Sequence, residues 1–146
     1  MQKIRLLTVL FVLATLAFSV AVVAQKQKTR RLSTNLRGSA EAPNPGDADG
    51  KGRARFTMDP NKGEICYELT VSGIQDATAA HIHEAPAGKN GPVKVPLKTP
   101  ENGSSKDCVS VDQALLTQII QNPANYYVNV HNAEFKGGAV RGQLGK

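Results

Sequence analysis

Three histidines are the residues best suited to chemistry in this 146-residue chain: His81, His83 and His131. His81 and His83 flank Ile82, so on a strand with Ile82 facing inward both imidazoles project from the opposite face, about 7 Å apart. In a second segment Val128 and Val130 take the core parity, which leaves Tyr127, Asn129 and His131 on the other side. If these two strands lie close in one sheet, three imidazoles converge on one external patch. Neutral imidazole suits copper, zinc or nickel. The plainer alternative is that these histidines hydrogen-bond to adjoining loops, with Glu84, Asn129 and Asn132 as partners.

Other motifs carry less. Asp47-Ala-Asp49-Gly50 looks like the start of a calcium loop, but Lys51 and Met58 stand where such a loop needs oxygen ligands, so it reads as a turn. There is no nucleophile-elbow serine, no phosphate-cradling glycine loop ahead of a helix, and no Cys-X-X-Cys pair. No catalytic residue is assigned.

The elements that position the histidines read as short strands separated by Gly, Pro, Asn and Asp clusters. Candidate strands are 32–40, 52–59, 64–71, 79–84, 93–97, 107–111, 126–132 and 139–144. The turn Asp59-Pro-Asn-Lys-Gly63 joins the second and third as a hairpin. One stretch departs from period two: Leu115, Leu116, Ile119 and Ile120 recur at helical spacing between the cap candidates Ser110 or Asp112 and the stop Asn122-Pro123. The fold class expected is all-β, a Greek-key immunoglobulin-like β-sandwich or barrel with one short helix.

The chain begins with an export signature. Lys3 and Arg5 precede the apolar run Leu6–Val23, and Val22-Val23-Ala24 offers small residues for cleavage, so 1–24 reads as a signal peptide. Uncleaved, it would serve as an N-terminal membrane anchor. Residues 25–31 read as a basic flexible segment and 32–146 as the folded domain. The expected location is therefore secreted, periplasmic or cell-surface. In an exported chain the two cysteines, Cys66 and Cys108, make a disulfide the default. Both sit on the polar parity of their strands, as a staple across the outer face would require.

Formal charge is +6, yet from Gly38 onward 11 basic residues face 12 acidic ones. The excess lies in the leader and in the stretch 25–37, which holds five basic residues and no acidic one. With no Trp and few other aromatics, a nucleic-acid partner is not expected. The basic N-terminal arm is suited to weak contact with an anionic surface. The main ligand outside the cytoplasm is not named by these residues.

Several motifs in order carry a resemblance: Ile65-Cys-Tyr-Glu-Leu-Thr-Val-Ser-Gly73, Ala79-Ala-His-Ile-His-Glu84 with Gly91-Pro-Val93, Asn122-Pro-Ala-Asn-Tyr-Tyr-Val-Asn-Val-His131, and Gly137-Gly-Ala-Val-Arg-Gly-Gln-Leu144. Together they resemble the CHRD (chordin) domain family over 32–145. That resemblance implies a secreted Greek-key β-sandwich acting as a noncatalytic binding or structural module. A fainter likeness is to copper/zinc superoxide dismutases, in the order His81-Ile-His83-Glu84, Val128-Asn-Val-His131 and Arg141. It implies His81, His83 and His131 as copper ligands, Arg141 as an anion-guiding residue, and a copper-binding redox or copper-sequestering protein. The bridging histidine, the zinc-loop histidines and that family's disulfide arrangement have no match here.

Overall fold

A computed structural model describes residues 26–145. The expected signal peptide, 1–24, lies outside the described residues. Among those described, no helix is long and apolar enough to cross a membrane.

Eight strands form the body: β1 (Arg30–Arg37), β2 (Lys51–Asp59), β3 (Glu64–Ser72), β4 (Ala77–Glu84), β5 (Val93–Leu97), β6 (Ser104–Ser110), β7 (Tyr126–Asn132) and β8 (Val140–Gln143). All pair antiparallel in the order β5-β4-β7-β8-β1-β2-β3-β6. The sheet folds into two four-stranded halves joined where Arg37 of β1 meets Arg141 of β8. The chain passes to the second half after β3, returns at β6 beside β3, and leaves again for β7 beside β4. These crossings are Greek-key connections, as expected.

Alternation dictates the core. Leu36, Phe56, Met58, Ile65 and Leu69 from one half meet Ile82, Val95, Val128, Val130 and Val140 from the other in a single apolar cluster. A one-residue slip in any of these ladders would turn that set outward and bury its polar neighbours. Helix α1 (Gln113–Gln121) buries Leu116 and Ile119 in the same cluster. It begins where the Asp112 side chain accepts the N–H groups of Ala114 and Leu115, at 2.9 and 3.1 Å. It stops at Asn122, before Pro123.

Cys66 and Cys108 stand directly opposite each other on β3 and β6 and are disulfide-bonded, with Cα atoms 3.9 Å apart. The staple therefore pins an edge strand to its neighbour. Asp47 accepts the Asp49 N–H at 3.1 Å, which makes Asp47-Ala-Asp49-Gly50 a turn.

Two expectations shift at the N-terminal side. Arg30 and Arg31, assigned above to the flexible segment 25–31, are the first residues of β1, registered against Met58 and Thr57. Gln27 is also anchored: its N–H donates to Asn61 and its carbonyl accepts from the same side chain, at 3.1 and 2.6 Å. The ladder to β2 recruits these polar residues because backbone pairing does not depend on side-chain hydrophobicity. For the same reason β6 begins at Ser104, inside a stretch that reads as a polar loop.

Candidate metal centre

The three histidines are brought together by register. On the β4–β7 ladder His81 lies opposite Asn129, His83 opposite Tyr127, and His131 opposite Ala79. His131 is therefore the diagonal neighbour of His81 on the same face, within reach of a ring. The β4–β7 register is irregular between Ala77 and Ala79, before His81, and the β4–β5 register between Ile82 and His83. Ring centroids are 5.5 Å apart for His81 and His83, 5.1 Å for His81 and His131, and 6.2 Å for His83 and His131. One ring nitrogen from each lies within 4.8 Å of the other two.

The surroundings fix which nitrogens are free. His83 Nδ1 stands 2.9 Å from the Gly91 carbonyl, and His131 Nδ1 stands 2.9 Å from the Lys136 carbonyl. A carbonyl can only accept, so both Nδ1 atoms carry the proton and both Nε2 atoms hold lone pairs in the neutral rings, which for His131 requires the Asn129 amide to turn its NH2 group towards Nε2. His83 Nε2 is buried and has no hydrogen-bond partner. His131 Nε2 lies 3.2 Å from His81 Nδ1 and 3.1 Å from Asn129 Oδ1. Burial, together with the neighbouring imidazoles, holds the His81 ring below the ordinary imidazole range. Burial does the same to His131, against the upward pull of the Lys136 carbonyl. Both shifts favour the neutral, ligand-competent form.

The patch is less external than parity alone suggests. His81 and His131 are half-buried and His83 is 8% exposed. The reason is a roof contributed by the loop after β4. His83 stacks on Tyr127 with centroids 4.8 Å apart and planes 5° off parallel. From the β8 side the Arg141 guanidinium lies 3.4 Å from the centre of the same Tyr127 ring. Arg141 then donates to the carbonyls of Lys89 (2.8 Å) and Pro86 (3.0 Å) and to Gln143 Oε1 (3.1 Å). Gln143 in turn donates to the Ala85 carbonyl at 2.7 Å. The loop is thereby held down, with Gly91 over His83.

Arg141 does not fit the anion-guiding role that the dismutase likeness implies. It is 1% exposed, and its donors are occupied by loop carbonyls and Gln143 rather than turned to solvent. Of the three loop partners expected for the histidines, only Asn129 is one. Glu84 pairs with Lys94 at 2.7 Å, and Asn132 accepts the Phe135 N–H at 2.7 Å. The partners missed by residue-level reading are Tyr127, whose parity does point at His83, and the backbone carbonyls of Gly91 and Lys136, for which side-chain chemistry gives no signal.

Fold and site together define a disulfide-stapled Greek-key β-sandwich with an imidazole cluster on the outer face of one half. The CHRD domain family model matches residues 32–144, and the chain belongs to that family. No curated protein and no solved structure matches it.

Proposed function

We propose that this CHRD-domain protein is exported and acts outside the cytoplasm as a copper-binding module, with His81, His83 and His131 as the ligands. The observation that carries the reading is the buried, unpartnered Nε2 of His83, in a cluster of three imidazoles that each offer one ring nitrogen within 4.8 Å of the other two. A buried acceptor without a partner is costly, and a metal ion supplies what it lacks. Three ligands at 2.0–2.1 Å from an ion sit about 3.5 Å from one another, so small side-chain rotations close the site. An all-imidazole set has no thiolate or carboxylate to favour a softer or harder ion, and copper(II) tops the divalent affinity order for such nitrogen donors. The disulfide, the family and the export signature agree with an oxidising compartment.

Binding rather than turnover is the reading favoured by Arg141, which is committed to the loop. The test is calorimetric and spectroscopic titration of the disulfide-intact protein with copper(II) and zinc(II), beside His83→Ala and His81→Ala/His83→Ala. One copper per chain with nitrogen hyperfine structure is expected, weakened about 100-fold or more in the double variant. Equal copper binding by parent and double variant removes the site. Superoxide consumption by the copper-loaded protein would move the assignment from binding to redox catalysis.

A further inference from the structure

The near-neutral charge of the folded body conceals a strong asymmetry. Outward-facing positions of β1 are Arg31, Ser33, Asn35 and Arg37, and those of β2 are Lys51, Arg53, Arg55, Thr57 and Asp59. Register sets Arg37 opposite Lys51, Asn35 opposite Arg53 and Ser33 opposite Arg55. Five cations thus share one two-strand face whose only acid, Asp59, stands at the end of β2 remote from Lys51, and like charges directly opposed across a ladder are unfavourable. Only Arg55 is paired, loosely, with Glu68 of β3 at 3.9 Å, and Glu68 is held more closely by Lys106 at 2.6 Å. Arg31, Arg37, Lys51 and Arg53 are exposed and form no ion pair among the described residues.

The same face runs into a cleft of about 520 Å³ where β1 meets β8. Arg37, Arg53, Ser33, Asn35, Ser39 and Gln143 line it with guanidinium, hydroxyl and amide groups. Its one acid, Glu41, is buried in the cleft wall, where desolvation favours the uncharged form. The stripe from Arg37 to Arg31 is about 20 Å long, more than a simple anion can span. The one exposed large hydrophobic among the described residues is Val93, on β5 at the far end of the strand order. A membrane would find nothing here to bury. A chain of nucleobases would find no aromatic on these positions to stack on.

We propose that the β1–β2 face and its cleft bind an acidic polysaccharide, with Arg31, Arg37, Lys51 and Arg53 meeting its carboxylate or sulfate groups and the cleft hydroxyls and amides meeting its sugar hydroxyls. Arginine forks suit both kinds of anion, and hydroxyl and amide groups set among apolar lining suit the polar edges and C–H faces of a sugar ring. The four cations lie outside the histidine cluster, although the cleft shares Arg141, Gln143 and the loop residues Ala87 and Gly88 with the roof over it.

The test is binding of the disulfide-intact protein to immobilised heparin and polygalacturonate, with neutral dextran as blank. Three variants are compared: Arg37→Gln/Lys51→Gln/Arg53→Gln on the face; Lys62→Gln/Lys98→Gln/Lys136→Gln, which removes the same charge elsewhere; and Lys26→Gln/Lys28→Gln in the N-terminal arm. Thermal melts establish that each is folded. The face variant should lose about tenfold or more in affinity and the other two under about twofold, with binding falling as salt rises. Similar losses in the face and distributed variants would reduce the effect to net charge and overturn the proposal. So would a loss confined to the arm variant, absence of binding to either polymer, or binding to phosphatidylglycerol vesicles in preference to both polymers. Unchanged heparin binding by His81→Ala/His83→Ala separates this surface from the metal site.

Discussion

Glu41 should impose an unusual pH dependence on stability. Its carboxyl is 8% exposed and neither oxygen has a hydrogen-bond partner. Asn129 and the Ala42 N–H approach it without the alignment of a formed bond, and Gly138 packs directly against it. Burial raises its pKa from 4.5 to about 7, against the opposing attraction of Arg141. Between those two values the native chain holds a proton that the unfolded chain has released. Native stability therefore falls as pH rises from about 4.5 towards 7, and the full cost is present above 7. The gap between 4.5 and about 7 corresponds to about 3 kcal/mol. Glu41→Gln keeps the shape and abolishes the ionisation. In urea denaturation with the disulfide intact and a chelator present, the variant should match the parent near pH 4.5 and exceed it by about 2–3 kcal/mol at pH 8. His81 and His131, whose lowered pKa values make stability rise with pH, are present in both chains and cancel in the difference. Parallel pH profiles for the two proteins, or a less stable variant at pH 8, would refute the buried-charge account.

The disulfide and the roof over the histidines yield two further expectations. Cys66→Ser/Cys108→Ser releases a loop closed across 42 residues, which the chain-entropy relation values at about 4 kcal/mol. Chemical denaturation should show that loss, and a midpoint unchanged from the parent would place the stabilisation elsewhere. Arg141→Lys keeps the charge but loses the fork that grips the Lys89 and Pro86 carbonyls, at a cost of about 1–3 kcal/mol. Amide exchange should quicken in the loop 85–91 while β3 and β6 keep their protection. If the loop exchanges as slowly as before, Arg141 does not hold it.

Much of this architecture was legible in local pattern. The Asp59–Gly63 turn, the α1 spacing around Leu116 and Ile119, and the alternation about Ile82 and Val128 are short-range signals, and each element formed where its signal lies. The strand ends were less legible. Arg30, Arg31 and Ser104 join ladders through their backbones, so their side chains announce nothing. The burial of His83 was hidden for another reason. It depends on a loop tied down by Arg141 and Gln143, more than fifty positions further along the chain. Nothing near His83 encodes that clamp.

Charge shows how far composition and placement can diverge. Beyond Gly38 the sums nearly cancel, and the basic excess of the remainder reads as a tail. Yet β1 begins at Arg30 and pairs with β2 so that Leu36, Ala54, Phe56 and Met58 all face inward. Once that register is set by the apolar residues, Arg31, Arg37, Lys51, Arg53 and Arg55 have no choice of side. Apart from Asp59 at the end of β2, the acids that balance them lie on other strands and loops. The same constraint in β4 and β7 turns Ile82, Val128 and Val130 to the core and the three imidazoles outward. Both proposed sites are thus the outer faces of ladders whose inner faces hold the fold together. A slip in β1 should therefore scatter the cations, and one in β7 the histidines, each at the cost of the same core.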